Sequence, residues 1–390
     1  MPSEDVSLES VLLAAVRDAV PERPGFRATV SLDVEDGDPW TIRLSGGRVW
    51  ITPGLHPRAD TTVTTDAVTL AAVMDGSRSG VEAFLAGDLR VRGNLALSLR
   101  LGGLFQPEAR PARFPVARTA AAGPLSTFYL EAGQGPPVVL LHGLGATNAS
   151  LLPTLWDLAR DHRVLVPDMP GFGDSSKPLR RYDSAFFARW LEAFLDEAGV
   201  ERADLVGNSM GGRVAIEMGL VHPERTGRLV LLTPSPAFIR RRHFVRLVRL
   251  LRPELAVVRV PMRHALVVGG IKRMFARPER LPQAWYLAAA DEFLRVFSTM
   301  RGRVAFFSAA RQIYLEEPYG EVGFWDRLPQ LDVPALFVWG DRDRLVPARF
   351  ARHVERALPS ATSVVLDDCG HVPQFEHPDL THGLIREFLS

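Results

Sequence analysis

Three short segments carry residue types that together can do chemistry. "GNSMGG" (207–212) matches G-x-S-x-G, between the apolar run "DLV" and the helical pattern "RVAIEMGL". A serine on such a strand-to-helix turn projects its hydroxyl outward, and the helix N-terminus favours developing negative charge. Gly207 and Gly211, flanking Asn208 and Ser209, leave room for the strained turn. A serine that only capped the helix would account for the hydroxyl but not for the two glycines. A serine hydroxyl is a weak nucleophile and needs a base to take its proton. "DDCGHVPQFEHP" (367–378) offers His371 on the loop after the last expected strand. His377 and His382 compete with it, but both lie where the C-terminal helix should begin. The base in turn needs an orienting acid. "WGDRDRLVP" (339–347) supplies Asp341 and Asp343, and the G-x-x-D-x-x-V-P spacing favours Asp343. Acyl transfer also needs oxyanion donors. The backbone N–H groups of Met210 and of Leu144, in the "HGLG" turn (142–145), are the expected pair. His142 reads as a structural hydrogen-bonding residue, and Asp168 as a loop-stabilising one that could also face the site. This chemistry requires no metal or organic cofactor.

Parallel β/α units are what would position these residues. "PPVVLLHG" (136–143) and "HRVLVPD" (162–168) are short continuous apolar runs, the pattern of strands covered on both faces. Asp183 can cap a helix whose apolar stripe is Phe187, Trp190, Leu191, Phe194 and Leu195. "ADLVGNSMGG", "GRLVLLTP", "PALFVWGDRD" and "TSVVLDDCGH" continue the alternation of strands and helices. Residues 236–327 interrupt it with a long helical stretch, the size of an inserted cap.

Taken in order, "LLHGLG", "VPDMPGFGDSSKP", "GNSMGG", "WGDRDRLVP" and "CGHVPQFEHP" make residues 125–390 resemble the α/β-hydrolase family along their full length. The order Ser209, Asp343, His371 is that family's order. The resemblance implies a mostly parallel sheet with helices on both faces and an inserted helical cap. It also implies an acyl-enzyme on Ser209, hydrolysed by water activated through His371. "GNSMGG" is also similar to the nucleophile motif of carbon–carbon hydrolases that act on aromatic ring-fission products. Those enzymes commonly have an aromatic residue after the histidine, where this chain has Val372. Haloalkane dehalogenases and epoxide hydrolases use an aspartate nucleophile, which Ser209 disfavours.

The first hundred residues have a different pattern. Residues 4–19 place apolar residues at helical intervals. Phe26, Ala28, Val30, Leu32 and Val34 then alternate with polar residues at the strand period. Strands around Trp40–Leu44 and Val49–Ile51 should follow in an antiparallel meander, then a strand in "ADTTVTT". Asp66 should cap a helix ending at Gly76. The segment 59–105, with "AFLAGDLRVRGN", resembles the sterol-carrier-protein family, and the resemblance runs over most of 5–105. It implies a small α+β unit that holds a lipid or acyl chain in an apolar tunnel. A small folding or oligomerisation domain with a filled core is the other reading. The Pro-, Arg- and Ala-rich stretch 106–123 reads as a linker, which divides the chain into 1–105, a linker, and 124–390.

The chain has 390 residues, 46% hydrophobic and 23% charged, enough for two packed cores. A formal net charge of +1 argues against a nucleic-acid partner. The single cysteine, Cys369, permits neither an intramolecular disulfide nor a cysteine zinc site. With no apolar run of membrane-spanning length and no basic or apolar leader, the expectation is a soluble cytoplasmic protein. Between Arg240 and Arg280 twelve basic residues face only Glu254 and Glu279, interleaved with Phe238, Ile239, Phe244, Val245, Leu247, Val248, Leu250 and Leu251. Such a helix can lie on an anionic membrane, or pack its apolar face on the hydrolase core and leave an electropositive entrance. Three readings follow: an esterase or thioesterase for a hydrophobic or lipid-like substrate, a carbon–carbon hydrolase, or a lipid-binding protein with an inert hydrolase half. Oligomeric state is not encoded in any of these features.

Overall fold

The computed structural model describes residues 27–46, 48–98, 112–236, 248, 250, 252–258 and 261–390. The helix expected over 4–19 and most of the basic stretch between Arg240 and Arg249 lie outside these residues.

The first unit is a five-stranded sheet of order β3-β2-β1-β4-β5. Its strands are β1 (Arg27–Val34), β2 (Trp40–Ser45), β3 (Arg48–Pro53), β4 (Thr61–Thr65) and β5 (Leu89–Gly93). Ala28, Val30, Leu32 and Val34 are buried, as their alternation predicts. The meander holds for β1, β2 and β3, but β4 lies parallel to β1 on its other side. Alternation reveals which face of a strand is buried, not which neighbour it pairs with, so this crossover was not legible. Asp66 caps α1 (Ala67–Met74), accepting hydrogen bonds from Thr69 N (2.7 Å) and Thr69 Oγ1 (2.8 Å). Helix α2 (Gly80–Ala86) ends at Gly87, whose positive φ of 86° turns the chain into β5.

The second sheet has eight strands in the order β13-β12-β11-β10-β8-β9-β7-β6. Its parallel centre comprises β8 (Pro137–Leu141), β9 (Arg163–Pro167), β10 (Ala203–Asn208), β11 (Thr226–Leu232), β12 (Ala335–Gly340) and β13 (Thr362–Leu366). Val138 through Leu141 are fully buried, consistent with helices on both faces. These helices are α3 (Leu152–Leu158), α4 (Ser184–Glu197, capped by Asp183), α5 (Met210–Val221) and, after the cap, α10 (Ala351–Ala357), α11 (Pro373–Glu376) and α12 (Pro378–Leu389). At the edge, β6 (Val116–Ala122) and β7 (Leu125–Ala132) form an antiparallel hairpin, β7 also pairing antiparallel with β9. The linker reading of 106–123 therefore needs correcting over 116–122. "VARTAAA" is a strand built of small, partly exposed residues, so it carries little of the apolar signal that marks the others.

The cap between β11 and β12 is helical, with α6 (His264–Lys272), α7 (Gln283–Phe297), α8 (Met300–Tyr314) and α9 (Phe324–Arg327). The first unit docks on α7. Asp291 accepts from Arg92 Nε (2.6 Å), Gly93 N (2.9 Å) and His264 Nε2 (2.9 Å). Trp285 stacks on Phe84 and donates to its carbonyl (3.1 Å). One apolar core runs from the first sheet into the adjoining face of the second.

Candidate active site

Ser209 sits between the end of β10 and the start of α5 with φ 56° and ψ −115°. A non-glycine residue in that region costs about 1–3 kcal/mol, a strain the surroundings must hold. The flanking glycines explain how the turn closes. A Cβ on Gly207 would fall 2.5 Å from the Gly211 carbonyl group, and one on Gly211 would fall 2.1 Å from Leu141 O. A side chain at Gly207 would force β10 and α5 apart, and one at Gly211 would push α5 off the end of β8. Asn208 Nδ2 reaches Leu232 O (3.0 Å), Thr233 Oγ1 (3.2 Å) and His371 O (3.2 Å). Asn208 thus fastens the Ser209 turn to the His371 loop.

His371 Nδ1 lies 2.7 Å from Asp343 Oδ2, and both side chains are buried. The other carboxylate oxygen of Asp343 accepts from Leu345 N (2.7 Å) and Val346 N (2.9 Å). With Nδ1 committed to the acid, Nε2 is the nitrogen that can act as a base. Asp341 is exposed, and its carboxylate accepts from Cys369 N (3.1 Å) instead. His377 Nε2 is 3.2 Å from Asp368 O, and His382 Nε2 is 3.2 Å from Thr154 Oγ1. Neither histidine is bonded to Asp343. The backbone N–H of His371 donates to Met274 O (2.7 Å), just beyond α6, so the cap also holds the histidine loop.

Met210 opens α5, and the loop carrying Leu144 runs beside it. A Cβ on Gly143 would stand 3.4 Å from Ser209 Cβ. Gly145, at φ 74°, lies under the rings of Phe293 and Phe306 from α7 and α8. Those rings join Phe297 and Phe307 in an aromatic cluster over the loop. His142 is fully buried between Gly143 O and Met169 N, and burial pushes its pKa down to about 4, so it stays neutral. Asp168 accepts from Asn148 N and Asp174 N (both 2.8 Å), tying two loops, while burial pushes its pKa up to about 7.

Sequence reasoning missed three side chains around Ser209: Ser235, Tyr314 and Arg213. Ser209 Oγ bonds to Ser235 Oγ (3.3 Å) and Tyr314 OH (3.4 Å), and not to His371, among the described residues. Arg213, one turn along α5 and fully buried, pairs with Glu217 (2.9 Å) and Glu316 (2.5 and 2.7 Å). The signal that could have found Arg213 is a charge in an apolar helical pattern one turn after Ser209. Tyr314 lies in no motif, and only the fold of the cap brings it here.

An elbow serine, a histidine on a carboxylate and a parallel sheet that presents both define a hydrolase architecture. Residues 136–378 match the profile described as the alpha/beta hydrolase fold, and the chain belongs to that family. Residues 12–106 match the SCP-2 sterol transfer family. The chain is 30% identical over 278 residues to a 2-hydroxy-6-oxo-6-phenylhexa-2,4-dienoate hydrolase of Burkholderia cepacia, covering 67% of this chain and 90% of that one. It is 32% identical over 264 residues to a pimeloyl-acyl-carrier-protein methyl ester esterase of Aeromonas hydrophila, covering 66% of this chain and 97% of that one. Among solved structures, a bacterial membrane phospholipase A superposes with a TM-score of 0.62 at 26% identity, covering 83% of this chain and 94% of that chain.

Proposed function

We propose that this protein is a serine hydrolase for a carboxylic ester or thioester with a hydrophobic acyl part, working through an acyl-enzyme. Ser209 is the nucleophile, His371 the base, Asp343 the orienting acid, and the N–H groups of Met210 and Leu144 the oxyanion donors. The single observation that carries the reading is the 2.7 Å bond from His371 to Asp343 beside a strained elbow serine. In the reaction, His371 takes the Ser209 proton during attack and returns it to the leaving group. It then repeats both steps with water. The aromatic cluster of Phe293, Phe297, Phe306 and Phe307 over the oxyanion loop supplies an apolar acyl site. No metal enters this scheme. A fluorophosphonate probe should label wild type and not Ser209→Ala; equal labelling of both would end the reading.

The carbon–carbon hydrolase reading retains the support of the dienoate-hydrolase relative. Val372, buried directly after His371, is where that group commonly carries an aromatic residue. Parallel turnover of p-nitrophenyl acyl esters and dienoate ring-fission products separates the two.

We divide the chain into a lipid-holding unit up to about residue 105 and a hydrolase unit that follows. The first unit supplies or senses the hydrophobic substrate, and its contact with α7 gives it a route to the site. Removing residues 1–105 should harm long-chain turnover more than short-chain turnover, and equal losses would refute this. We further propose peripheral contact of the cap with an anionic membrane. No helix among the described residues is long and apolar enough to span one. The cap nevertheless exposes Leu250, Val257, Val258, Met262 and Leu266 beside exposed Arg252, Arg263 and Arg273. Co-sedimentation with anionic but not zwitterionic vesicles is the expected result, and no preference would refute it.

A further inference from the structure

Tyr314 and Ser235 place two hydroxyl groups at the reacting oxygen, and the scheme above leaves both without a task. Tyr314 is the last residue of α8, and its ring is buried. Burial pushes the phenol pKa up, so it remains a donor at neutral pH. Ser235 is fully buried, and its N–H donates to Ser209 O (3.0 Å), fastening the segment after β11 to the nucleophile turn. The tyrosine is held as firmly. Glu316, two residues beyond it, is clamped by Arg213, which rises from the nucleophile's own helix. A displacement of the cap helix would have to break that buried pair.

To lose its proton, the Ser209 hydroxyl must turn from these two groups toward His371. That rotation leaves the Tyr314 and Ser235 hydroxyls, which also hydrogen-bond to each other, beside the tetrahedral carbon and distinct from the backbone oxyanion donors. We propose that Tyr314, assisted by Ser235, is a catalytic hydrogen-bond donor to the leaving-group oxygen of the substrate. The proposal rests on the serine-hydrolase reading. In the acylation step the bond from Ser209 Oγ to the carbonyl carbon forms, the Ser209 proton moves to His371, and the carbonyl π pair moves onto oxygen. On collapse the carbonyl re-forms and the carbon–oxygen bond to the alcohol breaks, its electron pair leaving on oxygen. The proton on His371 then passes to that oxygen. Tyr314 transfers no proton; its O–H bond is strongest while charge on the departing oxygen is greatest.

A donor in this role matters most when the leaving group is poor. The test compares wild type with Tyr314→Phe on an ethyl and a p-nitrophenyl ester of one acyl chain, reading kcat/KM, which reports acylation. The ethyl ester should lose roughly 10- to 100-fold, the range for a hydrogen bond to a charged oxygen, and the p-nitrophenyl ester several-fold less. Equal losses on both esters, or no loss, overturn the proposal, since a merely structural tyrosine would not discriminate between leaving groups. If Tyr314→Phe does not melt with wild type, Ser235→Ala is read in the same assay and must show the same selectivity. Fluorophosphonate labelling of the variant separates the two failures. Labelling with unchanged leaving-group dependence rejects the tyrosine alone. A Ser209→Ala protein as active as wild type rejects the hydrolase reading, and the inference with it.

Discussion

Arg213 offers a sharp test of how the site is held. It is fully buried, bonded to Glu217 and Glu316, with its guanidinium 5.1 Å from the Phe324 ring. Its Nη1 has no hydrogen-bond partner. Replacing Arg213 with methionine removes the cation, the ring contact and that orphaned donor together. Breaking a buried pair costs about 3–5 kcal/mol, mainly through the charge left behind. Here Glu217 keeps Arg327 (2.9 and 3.1 Å), so the charge left alone is that of Glu316, whose side chain is 13% exposed. The lower end, about 3 kcal/mol, is therefore expected. For a unit of this size that lowers Tm by about 6–12 °C. Calorimetry on wild type, Arg213→Met, and Arg213→Met with Glu316→Leu measures it. If the orphaned carboxylate is the cost, the double variant regains most of the loss. A double variant as unstable as the single one would refute the reasoning, because the pair itself would then be the source of stability.

Three further outcomes are expected. Asp343→Asn should lower kcat by about 10⁴ through loss of the correct imidazole tautomer, while Asp341→Asn should change it only a few-fold; steady-state kinetics on both variants checks the choice of acid. His382, buried against Thr154, has its pKa pushed down to about 4 by burial, against 6.5 for the unshifted group. The unfolded chain therefore binds this proton between pH 6.5 and 4 while the folded chain does not. The stability from this residue is complete above pH 6.5 and is lost as pH falls, by up to about 1.4 kcal/mol per pH unit. Denaturant titrations should show His382→Gln gaining on wild type between pH 7 and pH 5, and parallel curves would contradict this. Asp291→Ala should release the first unit from α7, raising hydrogen exchange at the Gly93 amide, which donates to Asp291 (2.9 Å), by roughly 10-fold or more.

Ser209, Asp343 and His371 stood out as candidates because each sits in a local constraint. Gly207 and Gly211 mark a turn in which a Cβ would strike Leu141 or the opposing backbone, and that necessity is written in the glycines themselves. Asp66 and Asp183 were readable as caps for a similar reason, since a cap is satisfied within three residues. Where several partners competed for one role, the sequence narrowed the choice. The structure brings Asp343 and not Asp341 to His371, because the turn after β12 points one carboxylate inward and leaves the other in solvent. The strand at 116–122 was hidden because it draws its order from pairing with β7 rather than from apolar side chains.

The sequence by itself determined the class of chemistry, the alternating strands and helices from residue 136 onward and the existence of a cap. Short-range sterics, capping and burial periodicity are properties of neighbouring residues. Only the tertiary structure decided that β4 runs parallel to β1, that Asp291 receives Arg92 from across the chain, and that Tyr314 and Ser235 meet at Ser209 Oγ. These contacts join residues between 26 and 199 positions apart, the β1–β4 pairing of Val30 with Thr61 among them. No local pattern encodes which distant hydroxyl or carboxylate will arrive, because that depends on how whole elements pack.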